Sequence, residues 1–412
     1  MSERSPYGRG SVLHYPILQN EIMSSLPSVR INRKAVLRIE SGHPWIFASD
    51  ILDRGEAQPG DAVRVLDPQG RNLGTAHYSS TSQITLRLLS RRVETIDREF
   101  LKQRISAAQL YREKVVSGSD AYRLIHAEGD LLPGLIIDRY GDYFVMQLLD
   151  QGMDRLAHEI VSVLEELFQP KGVVARNDAQ IRAKEGLSLE VNVLSGSIPH
   201  RVSVAMNGLA MQADLMHGQK TGVFLDQREN YLAVQRYGTG RALDCFTASG
   251  GFALHLARTC ESVEGVDSST PTLDLARDNA RANQIENVSF HKADVLEYLP
   301  SLVAGHKRYD IVVVDPPAFT KSRGALEGAI RGYKEINLRA LRLLGSGGVL
   351  VSCSCSHHMS EAHLLEVVAA AALDCGKQLR VLERRTQSQD HPILLTVPET
   401  HYLKCLIFQV LN

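Results

Sequence analysis

Short apolar runs, each closing on a polar residue or a glycine, dominate the second half of the chain. They fall at residues 242–245, 262–266, 288–291 and 310–314, with a fifth at 349–353. After the first comes T-A-S-G-G at 247–251, then Phe252, Leu254, Leu256 and Ala257 at helical spacing. Strand, glycine turn and helix in that order mark the ligand-binding edge of an open α/β sheet. The next runs close on Asp267, near Asp294, and on D-P-P-A-F at 315–319. Helical patterns at 270–283, 325–344 and 361–373 separate the runs, and two closing strands are expected at 378–382 and 401–411. Seven strands are predicted, five of them parallel. The last two, joined through H-P-I-L-L-T-V-P-E-T without a helix, form an antiparallel pair.

The first half has a different rhythm. Residues 1–30 show little periodicity and read as a loose leader. Residues 31–104 read as a small β-rich barrel, with strands at 36–39, 59–65 and 84–88 and turns at 42–45 and 67–70. A helix at 95–116, strands at 122–140, 143–149 and 172–176, and a helix at 155–167 form a central α+β unit, residues 105–200. Asp130 and Asp138 in it suit turns rather than catalysis. The third domain spans 201–412, which makes the fold class α/β with two N-terminal additions.

Composition narrows the classes. At 44% hydrophobic and 23% charged residues, the chain is that of a soluble globular protein. No apolar stretch is long enough for a membrane span, no secretory signal is evident, and six cysteines without a paired framework suit the cytoplasm. Net charge is −1, but residues 1–104 hold 15 Lys+Arg against 11 Asp+Glu, a local surplus of four. Such a front end suits phosphate contacts, and ordinary solvated charge reads the same way.

Two strand ends carry candidate chemistry. In D-P-P-A-F, the prolines stiffen the loop and expose carbonyls, so Asp315, Pro316 and Pro317 can grip the edge of a planar base while Phe319 stacks on its face. V-L-V-S-C-S-C-S at 349–356 places Cys355 just past the following strand, with Cys353 deeper in the core. C5 of cytosine is a poor nucleophile. A thiolate adding at C6 makes C5 reactive toward an electrophilic methyl group, after which a base removes the C5 proton and the thiol leaves. Asp315 can hold or protonate N3. Methylation of a guanine nitrogen, with Cys355 structural, and an RNA-binding assembly factor both remain open. His357 and His358 beside the cysteines make a poor zinc signature, and no metal is expected. Upstream, G-Q-K-T-G-V-F-L-D-Q-R-E-N-Y at 218–231 runs from a glycine turn into a polar helix. From it Lys220, Asp226 and Arg228 can reach a ligand's charged end or simply form surface ion pairs.

These motifs support a resemblance. N-R-K-A-V-L-R-I-E-S-G-H-P-W-I-F at 32–47 resembles the opening of a PUA domain, an RNA-binding pseudo-barrel. The terminal antiparallel pair resembles S-adenosylmethionine-dependent methyltransferases. G-Q-K-T-G-V-F-L-D-Q-R-E-N, D-C-F-T-A-S-G-G-F, D-P-P-A-F, R-G-Y-K-E-I-N and S-C-S together resemble the bacterial large-subunit ribosomal RNA cytosine-5 methyltransferases. The resemblance implies a PUA domain, a central α+β domain and a Rossmann-like seven-stranded methyltransferase domain. It implies Cys355 as nucleophile and Asp315 as the base-contacting residue. It gives Asp244, Cys245, Phe246, Thr247, Gly250, Gly251, Asp267, Ser268 and Asp294 to S-adenosyl-L-methionine, with Asp315, Lys220 and Arg228 alongside. The implied partner is ribosomal RNA, and a homodimer is among the assemblies it admits. Ala248, where relatives often carry a larger residue, and the extra thiol of Cys353 depart from the pattern.

Overall fold

The computed structural model describes residues 26–218, 220–319, 326–356 and 358–412. Most of the expected leader, residues 1–25, lies outside the described residues, and its last stretch is already strand, Ser28–Ile31. That strand joins a six-stranded sheet with Trp45–Phe47, Ile51–Asp53, Ala62–Leu66, Asn72–Tyr78 and Ile84–Ser90. The run 36–39, expected as a strand, is instead part of the helix Arg33–Glu40. Asn32 caps it by accepting from the Ala35 amide at 2.9 Å, and Ala35, Val36 and Ile39 form its buried face. A four-residue apolar run fits either structure by pattern alone.

The central unit is a five-stranded sheet of Ala121–His126, Leu135–Tyr140, Tyr143–Leu148, Gly172–Asn177 and Glu190–Gly196. The boundary expected at 104 falls inside the helix Arg98–Val115, which packs on this sheet. Asp138 is not in a turn. It is buried in Leu135–Tyr140, bound to Arg123 at 2.8 and 3.0 Å and to the Thr221 hydroxyl at 2.6 Å. A carboxylate so buried is tolerated because it is paired. The helix expected at 155–167 is two helices, Gln151–Arg155 and Ala157–Phe168. The first two units dock through polar contacts, one part-buried and one buried. Trp45 Nε1 donates to Glu128 at 2.8 Å, and Arg87 pairs at 2.7 Å with the fully buried Glu185.

The third unit holds a seven-stranded sheet. Its strands are β1 (Arg241–Cys245), β2 (Ser262–Asp267), β3 (Val288–Lys292), β4 (Tyr309–Val314), β5 (Leu344–Ser354), β6 (Leu379–Arg385) and β7 (Lys404–Val410). The order is β3-β2-β1-β4-β5-β7-β6. Six strands run parallel, not five: β7 alone is reversed, and it inserts between β5 and β6. Central β4 is buried from Ile311 to Val314, as a strand covered on both faces must be. Helices α1 (Arg228–Gln235), α2 (Gly251–Leu256), α3 (Thr270–Ala282), α4 (Val295–Ala304), α5 (Leu326–Leu343) and α6 (Glu361–Asp374) cover those faces. The chain order of β1 and β4 reverses at their shared edge, which opens a crevice beyond their carboxyl ends. Among the described residues no helix is long and apolar enough to cross a membrane.

Candidate active site

The crevice holds a cavity of about 520 Å³, within the usual size range of small-molecule sites. The loop after β1 forms its floor. Phe246 and Ala248 both take left-handed conformations, φ 65° and 48°, and Gly250 follows at 89°. Non-glycine residues rarely adopt such angles, and strain of this kind collects at ligand sites. The loop is held by Asp244 beneath it, whose Oδ2 accepts from the Thr247 hydroxyl at 2.6 Å and the Ala253 amide at 2.9 Å. Glycine is required at 251, since a Cβ there would lie 2.4 Å from the Tyr231 ring.

Asp267 stands at the end of β2 on the cavity wall. Its two oxygens accept from the Ala248 amide at 3.0 Å and the Ser269 amide at 2.9 Å, which fixes its direction. Asp294 caps α4, accepting from the Leu296 amide at 2.8 Å. Between them Phe246, Ala293, Val295 and Leu296 give the cavity an apolar side. A fixed carboxylate for ribose hydroxyls and an apolar slot for a purine suit S-adenosylmethionine. Lys220, at the far side, suits its carboxylate end, although its ammonium now pairs with Asp226 Oδ2 at 2.6 Å.

The end of the cavity near β4 and β5 is chemically different. Asp315, Pro316, Pro317, Phe319 and Cys355 line it together. Burial raises the Asp315 carboxyl to about 7, and the charge of Asp226 adds to the effect. Burial likewise pushes the Cys355 thiol up, joined by the charge of Asp315, while Lys220 and Lys404 act in the opposite sense. Asp226 would also be raised by burial, but the charge of Lys220 and hydrogen bonds from Lys220 and Tyr402 hold it well below the usual carboxylate range. Two neighbouring carboxyls are thus driven apart, one able to carry a proton at neutral pH and one ionised. Phe319 meets Tyr333 edge-on, with centroids 4.8 Å apart, so its ring orientation is set by packing.

Of the expected cofactor residues, Phe246, Thr247, Gly251, Asp267, Ser268, Asp294, Asp315 and Lys220 line the cavity. Four do not. Asp244 and Gly250 shape the loop from behind, and Cys245 is buried in the core against Val266 and Val314. Arg228 is turned away, and its guanidinium pairs with the buried Asp390 at 3.2 Å. Cys353 is fully buried opposite Cys405, and His357 lies outside the described residues. Gln227, Tyr231 and Leu403 line the cavity unforeseen, and Tyr402 reaches its edge by donating to Asp226 at 2.8 Å. The L-D-Q-R run held the only signal for Gln227, and nothing local pointed to Tyr402 or Leu403.

Residues 180–409 match the S-adenosylmethionine-dependent methyltransferase family, and residues 29–91 match the PUA-like domain. The chain belongs to the S-adenosylmethionine-dependent methyltransferases. It is 39% identical over 379 residues to ribosomal RNA large subunit methyltransferase I of Tolumonas auensis, covering 90% of this chain and 96% of that one. The protein of the same name from a Klebsiella pneumoniae strain is 38% identical over 371 residues, covering 88% and 93%. Among solved structures, a candidate methyltransferase from Streptococcus mutans superposes with a TM-score of 0.80 at 20% identity, covering 93% of this chain and all of that one. Another candidate methyltransferase, complexed with S-adenosylhomocysteine, gives 0.81 at 19% identity over the same shares. At these identities the two structures speak for the fold. S-adenosylmethionine is the cofactor of this methyltransferase.

Proposed function

We propose that this methyltransferase forms 5-methylcytosine in large-subunit ribosomal RNA through a covalent bond between Cys355 and C6 of the base. The relatives named for large-subunit ribosomal RNA, aligned over nine-tenths of the chain, support the substrate class. The observation that carries the chemistry is the meeting of Cys355, Asp315 and the Pro316–Pro317 loop at one end of the cofactor cavity. Action on ribosomal RNA sets the enzyme in the cytoplasm.

The cytosine must leave its stack to reach residues set inside the crevice. Phe319 offers it a face, and Pro316 and Pro317 offer backbone carbonyls without competing amides. The Cys355 thiolate adds to C6, and the electrons of the C5–C6 double bond shift toward N3. Asp315, holding a proton near neutral pH, donates it to N3 as charge gathers there. C5 is then nucleophilic. The bound cofactor supplies an electrophilic methyl group. A base takes the C5 proton, that bond's electron pair re-forms the C5–C6 double bond and expels the Cys355 thiolate, and the N3 proton returns to Asp315. The PUA-like unit, with its surplus of basic residues, is the place for phosphate contacts that hold folded RNA over the crevice.

Mapping 5-methylcytosine on ribosomal RNA treated with wild-type enzyme and with C355A tests the proposal. The expected result is one new 5-methylcytosine with wild type and none with C355A. Full methyl transfer by C355A would point to a nitrogen acceptor instead.

A further inference from the structure

Lys404, the first residue of β7, is 4% exposed. Its ammonium donates to two backbone carbonyls, Ser356 and Tyr402, each at 2.8 Å. An ammonium has three protons, so one remains. Buried charges normally have a counter-charge, yet among the described residues Lys404 forms no ion pair. Glu361, the carboxylate facing it from α6, is already taken by Arg384. The missing anion has one obvious source. Ser354 lies opposite Lys404 in the β5–β7 register, and Ser356 is the residue whose carbonyl the ammonium grips. Cys355 sits between those two points.

We propose that Lys404 is the counter-ion of the Cys355 thiolate. It is a positioning residue rather than a catalytic one: the cavity is lined by its neighbour Leu403, not by Lys404, so it acts on substrate only through the sulfur. The other charged or titratable groups facing the thiol do not fill this role. Asp315 and Asp226 are acidic, and Tyr333 on α5 is a neutral phenol bound to Ser354 and Ser356. Lys220 also acts on the thiol, but its ammonium is paired with Asp226, whose charge works against it. Lys404 thus supplies positive charge to the sulfur without itself lining the cavity that a base enters. When the thiol ionises beside a protonated Lys404, its proton leaves to solvent through the cavity. The mutual influence runs both ways, since burial lowers the Lys404 amine to about 8 while the charge of Cys355 works to raise it.

This inference builds on Cys355 as the nucleophile, but its test needs no RNA. Alkylation of Cys355 by iodoacetamide is followed by peptide mass spectrometry across pH in cofactor-free enzyme, for wild type, K404Q and K404R, with S-adenosylmethionine affinity as the check on folding. K404Q is expected to slow Cys355 alkylation at pH 7.5 about tenfold, one unit of thiol pKa, and K404R to stay near wild type. A K404Q profile superimposed on wild type overturns the pairing, as does a K404R profile that falls with K404Q. Should K404Q not fold, K404M is read by the same criterion, and a K404M profile superimposed on wild type overturns the pairing. A shifted thiol in K404Q together with full RNA methylation by C355A would leave the pairing standing and remove the cytosine mechanism. An unmoved thiol with inactive C355A would do the opposite.

Discussion

Gln227 Nε2 donates to Asp315 Oδ2 across 2.9 Å, tying the segment before α1 to the proline loop after β4. Gln227 is itself fixed, its Oε1 accepting from Asn230 at 2.7 Å. A hydrogen bond of this kind favours the charged carboxylate, so it holds Asp315 lower than burial alone would. With Asp315 at about 7, the proton donor is lost as pH climbs through neutrality. In Q227L the carboxyl keeps its proton to higher pH. The alkaline limb of the kcat profile should therefore move up, while kcat at pH 7 falls roughly tenfold from lost orientation. An unmoved limb would show that Asp315 is not the titrating donor.

In the proposed mechanism Phe319 stacks on the flipped base, and stacking contributes about 1–3 kcal/mol per base. F319A should raise KM for RNA at least several-fold and leave S-adenosylmethionine affinity within twofold. Binding measured by titration of each ligand separates the two. Equal loss of both would make Phe319 part of the cofactor wall.

Asp267 has both oxygens committed to backbone amides of the two loops that flank the cofactor slot. D267A removes the carboxylate expected to meet the ribose and frees those loops. Cofactor affinity should fall at least tenfold, with RNA affinity in the absence of cofactor unchanged. Calorimetric titration that returns the wild-type value would remove Asp267 from the site.

Asp244 is buried with one oxygen unpartnered, and burial raises its carboxyl to about 7. In the unfolded chain the value is about 3.9. Below the unfolded value both states are protonated and the group is silent. Between the two the folded state binds the extra proton, and above 7 the fold carries the cost of a buried charge. D244N keeps an acceptor for Thr247 and Ala253 without that charge. It should be more stable than wild type by roughly 1–3 kcal/mol at pH 8 and equal to it near pH 4. Thermal melts at both values check this. A D244N protein less stable at pH 8 would mean that the anion holds the loop.

The sheet was legible because its strands are short, largely apolar runs closing on polar residues, and the acids at 267, 294 and 315 fall at or just past their ends. Cys355 was legible through its place one residue past β5. What failed was short or distant. The four-residue run at 36–39 became a helix because Asn32 caps it, and β7 was not seen to insert between β5 and β6 because strand order is a property of pairing rather than of pattern. Arg228 looked like a ligand contact until Asp390, 162 residues away, claimed it. Gln227, Tyr402 and Lys404 also gained their places through distant partners, Asp315, Asp226 and Ser356, which no short sequence window contains.

The most direct test uses ribosomal RNA transcribed with 5-fluorocytidine, whose C5 carries fluorine in place of the removable proton. After methyl transfer the adduct cannot eliminate, so enzyme and RNA should remain joined through the peptide containing Cys355, identified by mass spectrometry. C355A should give no such species. A wild-type enzyme that methylates unmodified RNA yet never cross-links to the fluorinated RNA, or that cross-links through another residue, would contradict the thiolate mechanism.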